Sequence, residues 1–126
     1  MTITDFIANY IMHDSLIDKV EILENGSTIV LWIDFAFWMQ NGYKETDPET
    51  GTLKVSFFGV TDYEIPKNVN WEEVSILDMK LDGGQIIFAL MNDMTDDYLE
   101  IIINLSNHLI AELLLRQLNN MNQSSL

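Results

Sequence analysis

The sequence predicts an α+β domain: a mainly antiparallel sheet of about six strands with an N-terminal and a C-terminal helix packed on one face. Three observations carry this. Residues 28–38 alternate, with Ile29, Leu31, Ile33, Phe35 and Phe37 on one side and Trp32, Asp34 and Trp38 on the other, which is the period of a strand. Asn25-Gly26 and Asp82-Gly83-Gly84 separate alternating runs by a few residues, and such short links join antiparallel neighbours. After Asn104 the period changes. Leu109, Ile110, Leu113, Leu114 and Leu118 recur at three and four residues, as on a helix, and helices on the apolar side of a sheet make two layers.

The elements follow in order. Phe6, Ile7, Tyr10 and Ile11 form a helical stripe over 4–12, with Thr4 as its N-cap. His13-Asp14-Ser15 breaks it, and residues 16–24 make a first strand. Asn25-Gly26 turns into the strand at 28–38, whose five large hydrophobes stabilise by roughly 1.5–3 kcal/mol each when buried. Fixing each backbone unit costs about 1–2 kcal/mol, so this strand needs partners and a roof. Gln40-Asn41-Gly42 ends it, and residues 43–52 are an acidic loop closed by Gly51. Leu53 to Val60 alternates again, with Gly59 as a bulge or an end. The pattern lapses from Thr61 to Asn70, where Pro66 argues against a central strand. Val74 to Leu81, Gln85 to Met91 and Tyr98 to Asn104 are the remaining strands. The terminal helix is capped by Ser106 and ends near Asn120, leaving a frayed polar tail at 122–126. There is no internal repeat and no linker, so residues 1–126 read as one domain.

Charge narrows the partners. Twenty Asp and Glu against six Lys and Arg give a net charge of −14 over 126 residues. That surface repels nucleic acid and anionic lipid and attracts a basic protein. With no cysteine there is no disulfide framework or thiolate zinc site. No basic leader precedes the first helix and no uncharged apolar run approaches ~18 residues, so the reading is a cytoplasmic protein with neither membrane partner nor cofactor.

Individual residues carry little chemistry. His13-Asp14-Ser15 has the letters of a catalytic triad, but adjacent side chains diverge and cannot align nucleophile, base and orienter. Backbone hydrogen bonding at a corner explains Asp14 and Ser15 better. Asp93, Asp96 and Asp97 lack the alternating ligands and central glycine of a calcium loop. Two histidines, His13 and His108, are too few for a histidine-rich metal site. Trp32 and Trp38 lie about 20 Å apart along a strand, too far for one small pocket; Trp32 reads as core and Trp38, beside the acidic loop, as core or contact.

The order of features nevertheless resembles a family. A short helix, His13-Asp14-Ser15, a strand, a longer strand, then Val55-Ser-Phe-Phe-Gly-Val60 and Leu99-Glu-Ile-Ile-Ile103 is similar to bacterial immunity proteins of polymorphic-toxin systems with a His-Asp dipeptide before the first strand. The resemblance implies a non-catalytic protein that neutralises a cognate, basic toxin by binding it. The expected contacts are Trp38, Glu45, Asp47, Glu49, Asp93, Asp96 and Asp97, acidic loops beside an aromatic. The alternatives are a self-associating module, such as a homodimer, and a small hydrolase using His13.

Overall fold

The computed structural model describes residues 1–106 and 108–114. They form one helix, α1 (Ile3–Asn9), and eight strands: β1 (Leu16–Leu23), β2 (Thr28–Ala36), β3 (Thr50–Phe58), β4 (Val60–Glu64), β5 (Val74–Asp82), β6 (Gln85–Asn92), β7 (Tyr98–Leu105) and β8 (Leu109–Leu114). All join one sheet in the order β4-β7-β6-β5-β1-β2-β3-β8, every pair antiparallel.

This corrects the expected architecture of about six strands under two helices. The two unforeseen strands are β4 and β8, and each follows a bend. At Gly59 (φ 63°) the chain leaves β3 and becomes β4 on a different neighbour. Leu109–Leu114, expected to be helical, instead pairs along β3 from Phe57↔Leu109 to Thr52↔Leu114. The leucine spacing fits either element. Supplying the open ladder of β3 with partners outweighs a weak helical preference. Leu118, Asn120 and the expected tail lie outside the described residues. The first helix also shifts: Thr2, not Thr4, is the cap, its Oγ1 accepting the Asp5 N–H at 3.1 Å.

Only Leu16↔Ser75 joins β1 to β5, so the sheet folds there into halves, β1-β2-β3-β8 and β5-β6-β7-β4. Ile29, Leu31, Ile33 and Phe35 of β2 and Ile86, Phe88 and Leu90 of β6 belong to a single apolar core. Phe57 and Phe88, four strands apart in sheet order, meet edge to face at 6.2 Å. Ile3 and Phe6 of α1 are buried against the same core.

The pairing contains a repeat that the sequence does not show. Exchanging β1, β2, β3 and β4 with β5, β6, β7 and β8 maps the pairing diagram onto itself. Leu16↔Ser75 is its own image, and the β1 bulge between Ile17 and Lys19 answers the β5 bulge between Ile76 and Asp78. β8 completes the first half as β4 completes the second. Each half is a three-stranded meander whose fourth strand pairs with the other half. Among the described residues no helix is long and apolar enough to cross a membrane.

Candidate partner-binding site

The repeat supplies an internal control, because the connection between the second and third strands occurs twice. In the second half it is the short turn at 93–97; in the first it is residues 37–49. The sheet needs only the short form. The longer one is an addition to the fold.

Its geometry is fixed from below. After Ala36 the chain makes a 3-10 turn, Phe37–Met39, and the Trp38 N–H donates to Glu49 O at 3.3 Å, closing the loop's base. Phe37 leaves the strand, packs edge to face on Phe35 at 5.7 Å and lies against Gly51, where an added Cβ would sit 2.7 Å from the ring. Gln40 is the clamp. Its Oε1 accepts the Ile11 N–H at 2.9 Å, and its Nε2 donates to Ile11 O at 2.7 Å and Ala36 O at 2.9 Å. Beyond it, Lys44 N–H donates to Asp47 Oδ2, Asp47 N–H to Lys44 O and Tyr43 Oη to Asp47 O.

These bonds leave a cleft of about 250 Å³ whose lining includes Phe37, Gln40, Tyr43, Asp47 and Pro48, smaller than the roughly 300–1,000 Å³ of small-molecule sites. Trp38 stands beside it, 46% exposed. The Tyr43 hydroxyl is held above its ordinary pKa, first by partial burial and then by the carboxylates of Glu49, Asp47 and Glu45. Three carboxylates thus bear on one phenol.

The structure therefore gathers Trp38, Glu45, Asp47 and Glu49. Asp93, Asp96 and Asp97 are elsewhere. Three successive antiparallel pairings, β2-β1-β5-β6, set β2 and β6 running in opposite directions, so their closing loops leave opposite ends. The acids at 93–97 also build their own turn. Asp93 Oδ1 accepts from Ser75 Oγ, Asp97 Oδ2 from Thr95 Oγ1, and Asp96 sits at φ 62°.

Set beside family models, curated proteins and solved structures, the chain matches none.

At the His13 corner the hydrogen bonds go to backbone groups. Ser15 is fully buried, its Oγ accepting the Ala36 N–H at 2.9 Å. His13 Nδ1 reaches Leu77 O at 2.8 Å, and Asp14 holds φ 68° with its N–H on Ile76 O. Asp14 and Ser15 thus splice the helix end into the β1–β5 junction. Among the described residues no three His, Asp or Glu are grouped as a metal ion requires.

Trp32 is not core. It is half-buried on the outer face of β2, its Nε1 donating to Glu21 and its ring 5.4 Å from Lys19 Nζ and 5.0 Å from Lys54 Nζ. Sequence reading missed Tyr43 and Gln40. An aromatic inside an acidic loop was the available signal for Tyr43. Gln40 gave none, because its partner lies 29 residues away.

Proposed function

We propose that this chain is a non-catalytic immunity protein acting in the cytoplasm, binding and neutralising a cognate basic toxin domain through residues 37–49. One observation carries the reading: an exposed Trp38 on the same clamped loop as Glu45, Asp47 and Glu49, a loop that the sheet does not require. Tryptophan is a frequent energetic centre of interfaces, and a loop ordered before binding loses less entropy on contact. A net charge of −14 speeds encounter with a basic surface, and the resemblance noted from the sequence points the same way.

The test is to co-express the chain with a toxin domain, if one is encoded by a neighbouring reading frame. Growth should be restored, Trp38→Ala should weaken binding by about 2 kcal/mol, roughly 30-fold, and reversing Glu45, Asp47 and Glu49 should slow association and flatten its salt dependence. Failure of the native chain to restore growth overturns the proposal.

A second reading has an observation of its own. Lys19 and Lys54 flank Trp32 on one outer face, while at the equivalent positions of the other half Asp78 and Glu100 flank Ala89. Opposite charge about a large and a small residue suits contact between copies of the chain. Sedimentation across concentrations separates the readings: a monomer throughout overturns self-association, and assembly abolished by Lys54→Glu supports it.

A further inference from the structure

We infer that the cleft between Phe37, Tyr43 and Pro48 is an anchor pocket for one guanidinium group, an arginine side chain of the bound partner. Its chemistry selects that group. The lining combines Phe37, Tyr43 and Pro48 with Gln40, Asn41 and Asp47. The Gln40 amide is spent on Ile11 and Ala36, so the anionic acceptor of the lining is Asp47. A planar cation stacks on aromatic faces while its in-plane N–H groups reach acceptors at the rim. Arginine forms such charge-assisted bonds in a fork, whereas lysine is a compact, strongly hydrated point charge. A phosphate or carboxylate would meet Glu45, Asp47 and Glu49 as like charges. An apolar side chain would leave the charge of the neighbouring acids uncompensated, whereas a cation complements it. At about 250 Å³ the cleft takes one side chain and not a whole cofactor.

Two independent features support the assignment. Tyr43, whose hydroxyl is raised first by partial burial and then by the carboxylates of Glu49, Asp47 and Glu45, is part of the cleft lining. The clamp of Gln40 onto Ile11 and Ala36, with the Phe37 ring seated on Gly51, holds these two lining residues in place. That the arginine comes from a toxin rests on the proposed function; the pocket does not.

The experiment therefore uses small probes on the full chain. Amide NMR titration with N-acetyl-arginine amide should give saturable shifts centred on Gly42, Tyr43 and Asp47, with a dissociation constant in the millimolar range, on the order of −4 kcal/mol. The citrulline isostere, which keeps the shape and loses the charge, should bind at least about tenfold more weakly, the price of one charge-assisted bond. Asp47→Asn, with its remaining spectrum unchanged, should weaken the arginine probe several-fold. Equal binding of citrulline, equal binding of the lysine analogue, or unsaturable shifts spread equally over Asp93, Asp96 and Asp97 overturns the pocket. A chain that binds the probe yet restores no growth loses the proposed function and keeps the pocket; a chain that restores growth without binding the probe loses only the pocket.

Discussion

Gln40 grips the backbone of Ile11 from both sides, accepting its N–H at 2.9 Å and donating to its carbonyl at 2.7 Å. One side chain thereby ties the added loop to the segment after α1. Replacing it by alanine leaves a part-buried N–H and two carbonyls unpartnered, costing about 1–3 kcal/mol. Gln40→Ala should keep the sheet and loosen the loop. Hydrogen exchange would show lost protection at Tyr43 and Asp47, with Phe88 and Ile101 unchanged. Protection retained at the loop would show that the clamp is dispensable.

Ser15→Ala separates structure from chemistry at the His13 corner. The Oγ is the acceptor for the buried Ala36 N–H, so its loss should lower stability by about 1–3 kcal/mol in denaturant titration. Partner binding by the folded variant should stay within a few-fold of the native chain. A variant as stable as the native chain would remove this account of the dipeptide corner.

Two glycines fail differently when given a side chain. Gly59 holds φ 63°, where a Cβ costs roughly 1–2 kcal/mol through the backbone alone, and Ser106 Oγ would lie 2.5 Å from it. Gly59→Ala should lower the melting temperature, and adding Ser106→Ala should recover only the contact's share. Gly51 has no positive φ but faces the Phe37 ring at 2.7 Å. Gly51→Ala should displace that ring and change the near-ultraviolet circular dichroism and the arginine affinity more than the global stability. An unaltered aromatic spectrum would contradict this packing.

Two tyrosines should titrate high for different reasons. Tyr43 is raised by partial burial and then by Glu49, Asp47 and Glu45; Tyr98 is raised chiefly by its hydrogen bond to Glu100, 2.9 Å from Oη to Oε2. Both are neutral when protonated, so a raised folded value means that the folded state holds the proton longer. Their contribution is complete below the ordinary value of 10.0 and is lost as pH rises through the folded values. Ultraviolet difference titration of Glu100→Gln should bring Tyr98 down and leave Tyr43 high, while Asp47→Asn should lower only Tyr43. A common response of both would show a general surface potential instead of local partners.

What the sequence determined by itself is local. Ile29, Leu31, Ile33 and Phe35 alternate because side chains alternate along any strand, and all four are buried. Asn25-Gly26 and Asp82-Gly83-Gly84 turn the chain because their residues accept positive φ there, at Asn25, Gly26 and Gly83. The acidity of residues 45–49 was likewise plain in the letters. What the tertiary structure decided was pairing over long separations. Leu109–Leu114 is a strand because β3 offers it an open edge, which no period within 109–118 encodes. The two halves exchange their fourth strands because each bend, at Gly59 and after Leu105, sends the chain to a ladder built by the other half. The loop at 37–49 becomes a shaped surface only where Gln40 finds Ile11. Periodicity reports which side of one segment is buried; which segment buries it depends on free energies summed over the whole chain.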